Sequence, residues 1–182
     1  MKNDIIRRLE SGEILFCDGS TGIILQSLGC QPGESVEKWG LEHDETLRNL
    51  HKSYIEAGSD IILTNTLGGN SIKLKKYSLE NETKSLNKGL AELALDVVST
   101  FDRKIYVAGN IGPTGELMEP YGLLSESDLI KAFSEQIKVL SETGVDLIFI
   151  ETMMDVNEAV SAVKAVKESC DLPVFACISF NP

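Results

Sequence analysis

Long apolar runs are missing from this chain. None approaches the length of a membrane span, and the N-terminal Met1-Lys2-Asn3-Asp4 lacks the apolar stretch of a secretory signal. Basic charge is scarce: 17 Lys and Arg stand against 28 Asp and Glu, a net charge of −11. That sign disfavours nucleic acid and anionic membrane as partners, since both would be repelled. The one dense basic cluster, Lys73, Lys75 and Lys76, reads as a solvated helix face. Motif-spaced cysteines are also lacking. Cys17, Cys30, Cys170 and Cys177 have no CxxC spacing and no histidine nearby, which argues against a disulfide framework and points to a reducing, cytoplasmic compartment. Cys17 and Cys177 fall in expected strands, where a free cysteine behaves as a small hydrophobe.

What the chain does have is a 42% hydrophobic content over 182 residues, enough for one ordinary core. Its organising stretch is Glu56 to Asn70. Ala57-Gly58 stops a helix, Asp60 follows, and Ile61-Ile62-Leu63 is a short apolar run of the kind buried on both faces of a parallel sheet. The run gives way to polar Thr64-Asn65-Thr66. The pattern recurs 86 residues on, from Thr143-Gly144 through Asp146 and Leu147–Ile150 to Glu151-Thr152. Each helix must stop and each strand must be buried, so the repeat itself says little. The polar tips say more, because the C-terminal ends of buried parallel strands are where α/β folds place ligand sites.

Strands are expected over Ile14–Cys17, Asp60–Leu63, Ile105–Ala108, Asp146–Ile150 and Pro173–Ile178, alternating with helices. Asp18-Gly19-Ser20-Thr21-Gly22 makes a tight turn at the first tip, where Asp18 could simply cap a helix. His51 lies on the apolar face of the helix Glu45–Ala57 and reads as a satisfied, partly buried histidine. Gly109 to Gly122, with four glycines and two prolines, cannot be regular structure and overhangs the same rim as Asn65 and Glu151. It lacks the Lys and Ser/Thr of a phosphate loop.

Two architectures accommodate five parallel strands: a doubly wound sheet, or the first part of a TIM-type (β/α)₈ barrel, which normally needs about 250 residues. The last strand is followed by Ser179-Phe180-Asn181 and no covering helix, which favours the incomplete barrel, with residues 1–182 as its N-terminal portion. Bare first and last strands predict self-association into a homo-oligomer.

Four segments in register carry a resemblance: Asp18-Gly-Ser-Thr-Gly22, Ala57-Gly-Ser-Asp-Ile-Ile-Leu-Thr-Asn-Thr66 with Asn70-Ser71, Gly112-Pro-Thr-Gly115, and Gly144-Val-Asp-Leu-Ile-Phe-Ile-Glu-Thr152. Together they resemble the homocysteine S-methyltransferase domain of cobalamin-dependent methionine synthase, betaine–homocysteine methyltransferase and related corrinoid methyltransferases. Asn65-Thr66 followed by Asn70-Ser71 is most similar to the methionine synthase branch. The resemblance implies a (β/α)₈ barrel and homocysteine as substrate. It also implies a zinc ion whose cysteine ligands are expected beyond Pro182, matching none of the four cysteines here, and cobalamin supplied through a corrinoid-binding domain or protein. By resemblance, Asp18 and Glu151 face the substrate amino group, Asn65 and Thr66 line the pocket, and Gly19 belongs to its turn; no catalytic or metal-binding residue carries over. A corrinoid methyltransferase for another amine or thiol, and a non-catalytic binding module, are the alternatives.

Overall fold

The computed structural model describes residues 4–180. Among them, eight α-helices surround a parallel sheet of four strands: β1 (Ile61–Leu63), β2 (Tyr106–Ile111), β3 (Leu147–Met153) and β4 (Val174–Ile178), adjacent in chain order. The helices are α1 (Asp4–Glu10), α2 (Gly22–Ser27), α3 (Val36–Glu42), α4 (Asp44–Glu56), α5 (Ser71–Leu74), α6 (Thr83–Val98), α7 (Glu126–Thr143) and α8 (Val156–Ser169). Parallel neighbours in sequence order, each joined by a helix, are an incomplete (β/α) barrel.

Strand alternation sorts the side chains into two cores. Val107, Ile111, Ile148 and Ile150 point outward and pack under α6, α7 and α8. Ile61, Leu63, Tyr106, Ala108 and Leu147 point inward, with Phe149 and Phe175 above them. The aspartates of the repeated motif do the same job in both copies. Asp60 accepts from the Phe16 amide at 3.0 Å and Asp146 from the Val107 amide at 2.9 Å, each stapling the base of its strand to the preceding one.

Three sequence expectations need correction. Ile14–Cys17 is not a named strand: it runs beside β1 but qualifies only as a single bridge, Cys17 to Ile61. Ile14 and Phe16 stay 76% and 63% exposed. Cys17 and Cys177 are free and exposed, not packed hydrophobes, because they lie at the two open flanks of the sheet. β2 continues three residues past Ala108. Gly109 reads as a breaker in sequence but pairs with Ile148 in the ladder, and it is glycine because a Cβ there would stand 3.0 Å from the Ile148 side chain and 3.1 Å from that of Leu140.

His51 is the core's exception. Expected to be satisfied and partly buried, it is instead fully buried on α4 beside Leu47, Leu50 and Ile55, and neither ring nitrogen has a hydrogen-bond partner among the described residues. Burial first, then the Arg48 charge, pushes its pKa down to about 4 from 6.5. The unfolded chain therefore takes up a proton that the fold refuses. Stability is full above about pH 6.5 and is lost as pH falls toward 4, by about 3 kcal/mol. Denaturant melts between pH 7.5 and 4.5 should show this slope in the wild type and a flatter one in His51→Phe. An unchanged slope in the variant would place the acid sensitivity elsewhere.

Candidate functional site

At the C-terminal ends of the strands opens a cleft of about 850 Å³, bordered by the Asp18–Gly22 turn, the Thr64–Gly68 segment, Asn110, Pro113 and the end of β3. Four of the five residues singled out from sequence line it: Asp18, Gly19, Asn65 and Glu151.

Asp18 is not a helix cap. The residue ahead of α2 is Thr21, whose side chain makes no cap bond, while Asp18 Oδ2 accepts from the Leu63 amide at 3.0 Å. The carboxylate thus bridges the first turn to the tip of β1. Burial raises its pKa to about 7, the Leu63 amide opposes that rise, and the negative charge of Glu151 adds to it. Gly19 has to be small: a Cβ would stand 2.9 Å from the Tyr54 ring, whose hydroxyl donates to the Ser20 carbonyl at 2.9 Å. That contact fixes the turn against α4.

Glu151 lies inside β3, not one residue beyond it. The ladder with β4 pairs Ile150 with Ala176 and then Met153 with Ile178, so Glu151 and Thr152 together oppose one residue. This is a β-bulge, and Thr152 takes φ 62, a left-handed conformation that a β-branched residue rarely adopts. Bulges re-aim side chains beside functional sites. Here the inward row Leu147, Phe149, Glu151 ends with its carboxylate on the cleft, accepting from Asn110 Nδ2 at 2.9 Å.

Asn65 and Thr66 part company. Asn65 Nδ2 donates to the Val36 carbonyl at 3.0 Å, tying the tip of β1 to α3 at the cleft wall. Thr66 is fully buried behind that wall and is not among the lining residues; its Oγ1 donates to the Asn110 carbonyl at 2.8 Å. The structure places it as a support for the site.

Sequence reasoning missed Asn110 and Glu37. Asn110 was hidden by Gly109; the signal was its place in the inward alternation Tyr106, Ala108, Asn110. Glu37 is buried at the cleft, held by the Ser35 hydroxyl at 2.8 Å and the Gly68 amide at 2.7 Å. The Gly112–Gly115 loop does overhang the rim, and it is pinned: Glu158 on α8 accepts from both the Thr114 amide (2.8 Å) and hydroxyl (2.7 Å). Of the lysine cluster, Lys75 and Lys76 are exposed as expected, while Lys73 is half-buried and lines the cleft.

Among the described residues no group of three or more His, Cys, Asp or Glu side chains could hold a metal ion. Cys30 is buried away from the cleft, against Trp39 and Leu25, and only Cys17 of the four cysteines borders it. The zinc implied by resemblance does not fit the residues present. No described helix is long and apolar enough to cross a membrane.

An incomplete parallel barrel with a cleft at the C-terminal ends of its strands has its opening where (β/α) proteins bind small molecules. Its family is specific: the homocysteine S-methyltransferase profile matches residues 15–182, and the chain belongs to that family. Betaine–homocysteine S-methyltransferase 1 of Bos taurus is 30% identical over 187 residues, which take in all of this chain and 44% of that protein. The S-methylmethionine–homocysteine S-methyltransferase BHMT2 of Pongo abelii is 32% identical, again over the whole chain and 47% of the relative. The chain thus spans about half the length of these relatives. Among solved structures, the oxidized form of the homocysteine methyltransferase MmuM from Escherichia coli superposes with a TM-score of 0.81 at 22% identity, covering 96% of this chain and 65% of the other. Its metallated form gives 0.80 at 20% identity, covering 97% and 66%. These likenesses establish the fold as that of the homocysteine methyltransferases.

Proposed function

We propose that this chain is the N-terminal portion of a homocysteine S-methyltransferase barrel and holds the amino-acid end of homocysteine while its sulfur is methylated. The observation that carries the reading is the pair Asp18 and Glu151, brought to one cleft from the turn beside β1 and from the tip of β3. An ammonium between two carboxylates in a partly dry cleft gains charge-assisted hydrogen bonds that a neutral ligand would not. Asp18 suits this role because burial raises its pKa to about 7, so that a cation in the cleft draws it toward the ionised form. Asn65, Glu37 and Asn110 complete a polar floor, and Phe149 and Pro113 supply apolar surface for the methylene chain.

In the reaction the homocysteine sulfur forms a bond to the methyl carbon as the bond from that carbon to the donor breaks, the electron pair leaving with the donor. The thiol must lose its proton for this attack. No base or metal group for that step is identified among the described residues, and the role of this chain is orientation of the substrate. Zinc held by cysteines beyond Pro182 remains part of the proposal at the level of the family resemblance. The donors to offer first are betaine and S-methylmethionine, which stand in the relatives' names, followed by a methylcorrinoid.

The test is direct binding. Isothermal calorimetry should show homocysteine binding more tightly than 4-mercaptobutanoate, which keeps the thiol and carboxylate but has no amino group. Equal affinities would remove the ammonium-reading role and favour a different ligand class.

A further inference from the structure

Behind the cleft wall runs a chain of buried amides that the binding reading does not use. Gln136 sits on α7 among Leu129, Ala132, Phe133, Ile137 and Leu140, a face otherwise apolar, and is fully buried. Its Nε2 donates to the Thr66 carbonyl at 2.7 Å and to Asn87 Oδ1 at 3.0 Å. Asn87, fully buried on α6, donates through Nδ2 to the carbonyls of Gly69 and Thr83, both at 2.7 Å. Two helices of the outer layer thereby grip the backbone of the β1 tip.

The path continues inward without a break. Thr66 Oγ1 donates to the Asn110 carbonyl at 2.8 Å, the Asn110 amide donates to Thr64 Oγ1 at 3.0 Å, and the two threonine hydroxyls share a bond of 2.6 Å. Asn110 Nδ2 then donates to Glu151 Oε1. A buried polar group left without a partner is costly, and this network leaves two: Gln136 Oε1 and Asn110 Oδ1 have none among the described residues. An apolar side chain at 136 would remove the first of these but leave Asn87 Oδ1 without its donor. What the amide provides is a fixed place for the backbone of the β1 and β2 tips, and so for the one amide that holds Glu151.

We propose that Gln136 is a positioning residue: through Thr66 and Asn110 it sets where the Glu151 carboxylate stands in the cleft. The consequence for binding rests on the reading of Glu151 as the ammonium partner; the consequence for Asn110 does not. The orientation of Asn110 follows from the same contact, since turning its amide over would set its oxygen against the Glu151 carboxylate.

The experiment uses the whole chain in two variants, Gln136→Met, which keeps the length and removes the donors, and Thr66→Val, which cuts the path one bond nearer to Glu151 and covers the case in which the first does not fold. Side-chain amide exchange of Asn110, followed by NMR, should be slow in the wild type and at least tenfold faster in either variant, while the backbone amides of β3 stay protected. Unchanged Asn110 exchange in the folded variants would overturn the proposal. So would exchange that rises equally throughout β3, because Gln136 would then be a general stabiliser. The same proteins are titrated with homocysteine and 4-mercaptobutanoate. A several-fold loss confined to homocysteine, absent when Glu151→Gln is already present, is the expected coupling. If Asn110 responds but the wild type does not distinguish the two thiols, the positioning stands and the ammonium reading falls.

Discussion

Asp18→Asn should make the fold more stable and homocysteine binding weaker. In the native chain this carboxyl has a pKa of about 7 against its ordinary 3.8, chiefly because it is buried, and secondarily because Glu151 repels its charge. The folded state therefore holds a proton that the unfolded chain gives up. The stabilising contribution is full below about pH 3.8 and is lost as pH rises through 7, at a cost of up to about 4 kcal/mol by pH 8. Asparagine keeps an oxygen to accept from the Leu63 amide and removes the charge. Its gain should appear at pH 8 and be absent at pH 4, as read by thermal melts at the two values. Equal gains at both would mean that shape, not charge, strains the site. The wild type should also bind homocysteine about tenfold more weakly for each pH unit below 7, since only the ionised carboxyl pairs with the ammonium.

The second large effect is expected at Glu151. Glu151→Gln keeps the shape of the side chain and an acceptor for Asn110 Nδ2. A charge-assisted hydrogen bond is worth roughly 1.5–3 kcal/mol, so homocysteine should bind roughly ten- to a hundredfold more weakly. Binding of 4-mercaptobutanoate should hardly change. Calorimetry with both thiols decides the matter: equal losses would show that Glu151 supports the rim and does not read the amine. Asp18→Asn and Glu151→Gln should not be additive, because each removes a repulsion on the other.

Much of this was legible because parallel strands announce themselves twice, by the apolar run and by the polar residue after it. Asn65 and Glu151 were found that way, and both stand on the cleft. Thr66 was grouped with Asn65 because adjacent residues at a strand tip look alike in sequence; their side chains leave in opposite directions, and only one reaches the cleft. The first strand was overestimated for a physical reason: β-propensity and alternation describe a segment, whereas a strand needs successive ladder pairs, and this segment makes only the bridge Cys17 to Ile61. Asn110 was lost because a glycine in sequence does not say whether it breaks a strand or merely admits a neighbour's side chain. Gln136 and Asn87 were the hardest to see. Both sit mid-helix, where a polar residue normally marks the solvent side. Yet Gln136 is four residues from Ala132 and Leu140 and three from Phe133, which puts it on the buried stripe, and that spacing was available from the start.

The left-handed Thr152 makes this site vulnerable to selection for robustness. A glycine there would adopt φ 62 freely, and Thr152→Gly should raise the thermal midpoint, with a gain of about 1 kcal/mol. The same exchange would let the bulge relax and Glu151 wander. A library randomised at this position and screened only for survival of heat should fill with glycine or asparagine; one screened for homocysteine capture should return to threonine or another branched residue. Heat tolerance and substrate recognition would then be competing outcomes of one codon.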